Sequence, residues 1–470
     1  MTFKERLQEL FSPIDMTQGS PVRQIMLFTI PMLIGNMAQQ LYNTADSIIV
    51  GRFVGDNALA AVGSAGPILN LLIVLFVGIS VGAGIVTAQY FGARDRENLA
   101  RAVGSCILAT GIASVILMIV GPLAARPMLR LLNTPDTIID WCTEYLVILF
   151  LGAAGSGYYN ILSGVLRGLG DSFAALMYLL VATVLNIGLD YLFVAKFGMA
   201  VAGVALATII AQCVSAVLCL RRLTRMKDIF ELRREHLKPD PENLLRLIRL
   251  GLPSGLTQAI FSMSMIVVQS LTNSFGEMFI AANVIVMRVD GFVMMPAFSF
   301  GTAMTTYSGQ NVGAQRPDRV EQGARQGTLC AMGVSAVLTV LILVFGRGIM
   351  GIFTETEELI EMSYHMMSII AVGYIATEIT QCLSGIMRGA GDTMTPMWIS
   401  LLSSVVIRVP AAYLLVALTK TPENPQGNCA MLFVSLLLSW CIGALMTLIA
   451  YRRGKWKTLV TGNQNEKEVS

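Results

Sequence analysis

Asp46 and Asp190 lie within long apolar stretches, and the polar residues near them are spaced to reach them. Asn36, Gln39, Asn43 and Asp46 recur at three- and four-residue intervals, and Asn186 stands four residues before Asp190. On helices, each acid therefore continues a polar stripe. Asp46 stands six residues before Arg52, and Asp190 six before Lys196. At 1.5 Å per residue both carboxylates lie roughly 9 Å inside one membrane boundary. An acid at that depth is costly, so it is by default a functional candidate facing a wet cavity. Two carboxylates with neutral oxygens from Asn186 and Thr208 make a site for a hard cation, a proton or sodium, and not for a transition metal. The rival reading is a pair of buried polar groups that only pack helices.

Other ionisable residues at membrane depth are Arg288, Asp290, Glu378 and Arg408. Glu378, ten residues before Arg388 and so about 15 Å deep, is a candidate for cation or substrate binding. Arg288 and Asp290 read as internal partners or a kink, and Arg408 as a partner for one of the acids. His236 and His365 have no neighbouring ligand pattern, and the eight cysteines are scattered without close pairs, so no metal site or disulfide framework is indicated. Met263, Met287 and Met294, among 27 methionines, are candidates for the lining of a substrate cavity, because thioethers beside aromatics adapt to many apolar cations. Lipid-facing filler is the competing role for any one of them. Pro31, followed by Gly35, interrupts the first predicted helix and is a candidate hinge.

The elements that must position these residues are membrane helices. In 470 residues, 54% are hydrophobic and 13% charged, with mean hydropathy +0.66, against about 25% charged in a soluble domain. This composition excludes a soluble enzyme, a nucleic-acid binder and a disordered chain; the net charge of +3 adds nothing. Breaks at charged or Gly/Pro/Asn-rich turns give twelve predicted helices, near 24–50, 57–90, 98–121, 138–162, 173–195, 200–221, 246–273, 279–309, 319–346, 358–386, 394–418 and 428–451. With the N-terminus inside, Lys and Arg favour the internal segments about fourfold, which supports twelve crossings and cytoplasmic termini.

The chain also repeats itself. Leu162-Ser-Gly-Val-Leu-Arg-Gly-Leu-Gly-Asp-Ser172 returns as Leu383-Ser-Gly-Ile-Met-Arg-Gly-Ala-Gly-Asp-Thr393, and the same offset of 221 aligns Gln89, Gly92 and Ala93 with Gln310, Gly313 and Ala314. A duplicated six-helix unit follows: an all-α membrane protein of two lobes related by a pseudo-two-fold axis along the membrane normal. The expected parts are a cytoplasmic segment 1–20, an N-lobe 21–222, a linker 223–245, a C-lobe 246–452 and a cytoplasmic tail 453–470. Each repeated motif reads as a turn whose glycines permit a tight reversal. Across it, Arg167 could pair with Asp171 and Arg388 with Asp392. The second half carries Val267 or Val268 opposite Asp46 and Ala411 opposite Asp190, which confines coupling chemistry to the first lobe.

Ile30-Pro31-Met32, Leu41-Tyr42-Asn43-Thr44-Ala45-Asp46, Gln89-Tyr90-Phe91-Gly92-Ala93, the doubled Arg-Gly-x-Gly-Asp and Leu185-Asn186-Ile187-Gly188-Leu189-Asp190 together resemble the MATE family of multidrug and toxic compound extrusion transporters, and within it the DinF and MepA-like branch. The resemblance spans roughly residues 20–452. It implies the MOP superfamily fold and antiport across the cell membrane: alternating-access export of organic, often cationic, compounds driven by proton or sodium entry, with no cofactor and no nucleic acid. A monomer in the lipid bilayer is expected. The family's cation site carries over to Asp46, Asn186, Asp190 and Thr208, with Asn43 close by. The NorM-like branch instead places acids in helices seven and ten, and here only Glu378 resembles one of them. The rivals are a lipid-linked precursor flippase of the same superfamily, which would want a basic cavity, and a membrane-embedded enzyme, which would need a catalytic constellation that is missing.

Overall fold

The computed structural model describes residues 12–458 apart from 133 and 423. The expected cytoplasmic extremes, 1–11 and 459–470, lie outside the described residues. The helices are α1 Pro21–Phe53, α2 Asp56–Gly92, α3 Arg96–Leu131, α4 Asp136–Leu151, α5 Ala153–Gly168, α6 Ser172–Asp190, α7 Ala200–Arg225, α8 Pro241–Asn273, α9 Glu277–Val293, α10 Met295–Gly313, α11 Pro317–Gly351, α12 Glu357–Ala371, α13 Gly373–Gly389, α14 Met394–Leu401, α15 Arg408–Leu418 and α16 Met431–Arg453. A π-helical stretch, Tyr191–Lys196, continues α6, and another, Leu402–Ile407, joins α14 to α15. Counting α4 with α5, α9 with α10, α12 with α13, and α14 with α15, the described residues form twelve helical stretches. Ten of them are long and apolar enough to cross a membrane when each bent pair is one span.

Two of those spans are sharply bent, α4 against α5 by 54° and α12 against α13 by 45°. Gly152 and Gly373 sit at the breaks, 221 residues apart. Both also admit a neighbouring helix. A Cβ on Gly152 would stand 2.2 Å from the Ile209 side chain of α7, and one on Gly373 would stand 2.7 Å from Trp440 of α16.

Two of the three glycines in each copy of the repeated motif do different work from the reversal expected of them. Gly164 and Gly168 are inside α5, and Gly385 and Gly389 inside α13. A Cβ on Gly164 would lie 2.6 Å from the Ser80 carbonyl oxygen, and one on Gly168 would lie 2.5 Å from that of Gly84. In the second half, Gly385 meets the Gly301 carbonyl at 2.5 Å and Gly389 meets that of Thr305 at 2.3 Å. These are seams of backbone against backbone, the way helices pack where lipid supplies no hydrophobic drive. The turns themselves use Gly170 and Gly391, with φ of 84° and 102°.

The ion pairs expected across those turns are also absent. Asp171 caps α6, accepting from Ala174 N at 3.1 Å, and pairs with Arg222 of α7 at 2.8 Å. Arg167 donates to Ser80 Oγ at 3.2 Å, and Asp392 accepts from Thr395 N at 3.0 Å. The reason is directional: side chains in the last turn of a helix lean back toward its N-terminus, while an N-cap aspartate turns toward the amides of the helix it starts.

Two compact units emerge, residues 1–15 with 30–255, and residues 16–29 with 256–470. The division falls inside α1 and α8, beside Pro31 and Pro253. Both helices run through their prolines without a break in α geometry, as does α3 through Pro122 and Pro127. The break expected at Pro31 and the stop expected at 121 are therefore replaced by continuous helix. Proline removes one hydrogen bond, which a long helix packed on its neighbours survives.

In the first unit the segment before α8 is held to α2. Arg246 donates to Gln89 Oε1 at 2.5 Å and to Tyr90 Oη at 2.9 Å. Below them, a Cβ on Gly82 would lie 2.6 Å from the Leu247 carbonyl. In the second unit Gln310, the repeat mate of Gln89, accepts from Met16 N at 2.8 Å and so holds the segment before α1.

Candidate functional site

Asp46 and Asp190 come together in the first unit. Asp190 is the last residue of α6, at the point where the helix widens into the π turn 191–196; such turns are frequent at functional sites. Asp190 and Asn186, one helical turn apart, are both fully buried. The Asn186 amide, its nitrogen turned to the acids as the hydrogen-bonding pattern requires, donates to Asp46 Oδ1 at 2.8 Å and to Asp190 Oδ2 at 3.2 Å. The two carboxyl groups are also within hydrogen-bonding reach of one another, and Asp190 Oδ1 has no donor among the described residues.

A second layer steadies the pair. Tyr42, four residues before Asp46 and therefore on its face of α1, donates from its hydroxyl to Thr208 Oγ1 of α7 at 3.2 Å. Tyr145 of α4 is buried within electrostatic range of both acids. No basic side chain is paired with either acid among the described residues. Two carboxyls facing one another without a positive partner hold together only with a proton or a cation between them.

The MatE family model matches residues 31–192 and 253–414, one span in each half. The chain belongs to the MATE family. It is 32% identical over 443 residues to the probable multidrug resistance protein YoeA of Bacillus subtilis (strain 168), covering 92% of this chain and 96% of that protein. It is 30% identical over 447 residues to the probable multidrug resistance protein YpnP of the same organism, covering 95% and 98%. Its fold is that of a multidrug resistance MATE family transporter of the MOP superfamily solved in an outward-facing conformation, with TM-score 0.87, 25% identity, and 95% and 98% of the two chains covered. This MATE protein is thus a multi-pass membrane transporter and not an enzyme.

The other sequence candidates are dispersed. Asn36, Gln39 and Asn43 stay on α1 with Asp46, and Thr208 accepts from Tyr42 and forms no hydrogen bond to either acid among the described residues. Glu378 of α13 is 2% exposed and its Oε2 has no partner among the described residues, so it lies in the second unit as a buried acid on its own. Met294 is buried and lines a cavity of that unit, while Met263 is 64% exposed and Met287 is partly exposed. Arg408 forms no ion pair among the described residues. Its guanidinium lies 3.5 and 3.6 Å from the Met265 sulfur, and Asp290 accepts from Tyr374 Oη at 2.7 Å instead. Asp290 and Arg408 nevertheless lie within electrostatic range of each other, so the expected partnership exists without a direct ion pair. No group of three His, Cys, Asp or Glu side chains suited to a metal ion forms among the described residues.

Tyr42 and Tyr145 are the site residues that sequence reading passed over. The first could have been found from its four-residue spacing to Asp46; the second sits in α4 with no local signal, since only the tertiary fold brings it to the acids.

Proposed function

We propose that this MATE protein is an antiporter that exports organic, often cationic, compounds in exchange for protons or sodium, with Asp46, Asn186 and Asp190 as the coupling site. The observation that carries this reading is the single Asn186 amide held between the buried Asp190 carboxyl and the half-buried Asp46 carboxyl, neither of which has a cationic partner among the described residues. Such a pair is incomplete until it takes up a proton or a hard cation. Loading must favour one conformation over another by binding the two differently, and the substrate must answer reciprocally. The Asn186 amide would orient the two carboxyls, and the hydroxyls of Tyr42, Tyr145 and Thr208 would share the cation's coordination or relay its proton. The substrate class is supported by relatives described as probable multidrug resistance proteins. On this reading the linker between α7 and α8 and both chain ends are cytoplasmic, as the Lys and Arg distribution requires.

The test is transport by the purified protein in liposomes, with export of a cationic dye followed under an imposed proton gradient and then an imposed sodium gradient. Export should follow one of the two, and Asp190→Asn should abolish it while the protein still inserts. Unimpaired pumping by that variant would remove the coupling site.

A further inference from the structure

The second unit contains a cavity of about 120 Å³ bounded by α8, α10, α13, α14, α16 and the π turn 402–407. Its polar wall is made of hydroxyls and amides, among them Gln381, Ser384, Ser400, Ser403 and Ser404, and its apolar wall includes Phe261, Phe298 and Trp440. Arg388 is its charged residue, and no acid lines it.

The internal repeat shows why this arginine is left over. Arg167, the residue 221 positions earlier, donates to Ser80 Oγ. Position 301, the repeat mate of 80, is glycine. The two positions are equivalent in space as well: Gly164 meets the Ser80 carbonyl, and its mate Gly385 meets that of Gly301. Loss of one hydroxyl thus deprives Arg388 of the partner its counterpart has. Asp392, four residues on, accepts from the Thr395 amide through Oδ1, its Oδ2 has no donor among the described residues, and it forms no ion pair with Arg388. The Arg388 side chain makes no hydrogen bond or ion pair among the described residues, and Arg388 lines the cavity.

We propose that Arg388 and this cavity bind the carboxylate of an organic anion or zwitterion whose aromatic body lies against Phe261, Phe298 and Trp440. The guanidinium fork matches a carboxylate in two-point contact. The surrounding hydroxyls supply further donors, and the volume, about that of four water molecules, suits a head group with a small planar ring. The site goes beyond the antiport reading: it gives the protein a place for negative charge in the unit that lacks the Asp46–Asp190 pair.

Trp440 makes the site observable. The full-length protein in lipid nanodiscs is titrated with benzoate, and with benzylammonium as the oppositely charged control, following tryptophan fluorescence against a Trp440→Phe background. No ion gradient is applied, so the result is independent of the coupling site. Benzoate should give a saturable change and benzylammonium one at least tenfold weaker. Arg388→Gln should weaken benzoate at least tenfold, and Arg388→Lys should retain part of the affinity. Gly301→Ser should weaken it severalfold by returning the missing hydroxyl; its new Cβ would meet Gln381 O at 3.3 Å, a contact small shifts absorb. Equal responses to the two ligands, or unchanged benzoate binding in monodisperse Arg388→Gln protein, would overturn the proposal.

Discussion

Replacing Asp190 with Asn keeps the shape of the acid pair and removes one charge. One Asn186 nitrogen touches Asp46 Oδ1 at 2.8 Å and Asp190 Oδ2 at 3.2 Å, so these oxygens lie no more than about 6 Å apart. With an effective dielectric near 20, two unit charges at that separation repel by about 3 kcal/mol. That is about a hundredfold in population at 1.4 kcal/mol per tenfold. Wild-type protein in neutral, sodium-free buffer carries this penalty until a proton or cation relieves it. A ligand at a hundred times its Kd adds about 2.7 kcal/mol of stability, an effect of the same size. Heat-unfolding midpoints of detergent-solubilised protein, measured across pH and sodium concentration, read both quantities. Wild type should be stabilised by acid or by sodium, whichever ion couples. Asp190→Asn should begin more stable in the ion-free buffer, because the repulsion is gone, and should respond to neither. A variant that still showed the wild-type ion dependence would refute the reasoning, since the remaining carboxyl of Asp46 would then suffice.

Other consequences follow from neighbouring contacts. Tyr42→Phe removes a hydroxyl that donates to Thr208; it should cost about 1 kcal/mol of stability and weaken ion-dependent stabilisation without abolishing transport, as unfolding and liposome assays would show. Gly389→Ala puts a methyl 2.3 Å from the Thr305 carbonyl and should cost about 1–3 kcal/mol through overpacking. The same change at Gly188, which has open space, should be far milder in the same unfolding assay. Pro31→Ala should slow export more than it weakens substrate binding if the proline is a hinge, with equal losses in both measurements counting against that role. Gly104→Ala would bring a methyl within 1.9 Å of the His236 carbonyl and lift the three-ten turn 234–237 off α3, so limited proteolysis should cut the α7–α8 linker faster than in wild type.

Hydropathy and the charge distribution made the helices legible, because apolar length is what the bilayer demands. The stop expected at 121 and the break expected at Pro31 both rest on reading a proline as a breaker. Pro122 and Pro127 lie inside α3, and Pro31 inside α1, because a helix supported along its length tolerates the loss of one hydrogen bond. The bends at Gly152 and Gly373 were invisible for the opposite reason: glycine alone says nothing about a kink until Ile209 or Trp440 is seen filling the space a Cβ would take. Periodicity picks out Asp46, Asn186 and Asp190, which the structure brings together, since all three lie on faces set by local helical geometry. Tyr145 came from a distant helix and left no trace in the spacing, and the motif glycines looked like turn residues because a backbone seam and a reversal call for the same amino acid.

The duplication separates what packing requires from what chemistry requires. Gly164 and Gly168 recur as Gly385 and Gly389 because at each position a Cβ would fall 2.3–2.6 Å from a carbonyl of the opposing helix; no other residue is accommodated there without moving a helix. The acids obey no such constraint. Deleting one of a buried polar pair strands the other, whereas replacing both by apolar residues leaves nothing unsatisfied. A polar pair is therefore kept or lost as a whole, which is the pattern here. Val267 or Val268 and Ala411 stand where Asp46 and Asp190 would be. The second unit's own buried ionisable residues, Glu378, Asp290 and Arg408, occupy different places and make different contacts. Two copies of one scaffold thus carry a single acid pair, and on the proposed reading the copy without it is free to specialise for the compound being moved.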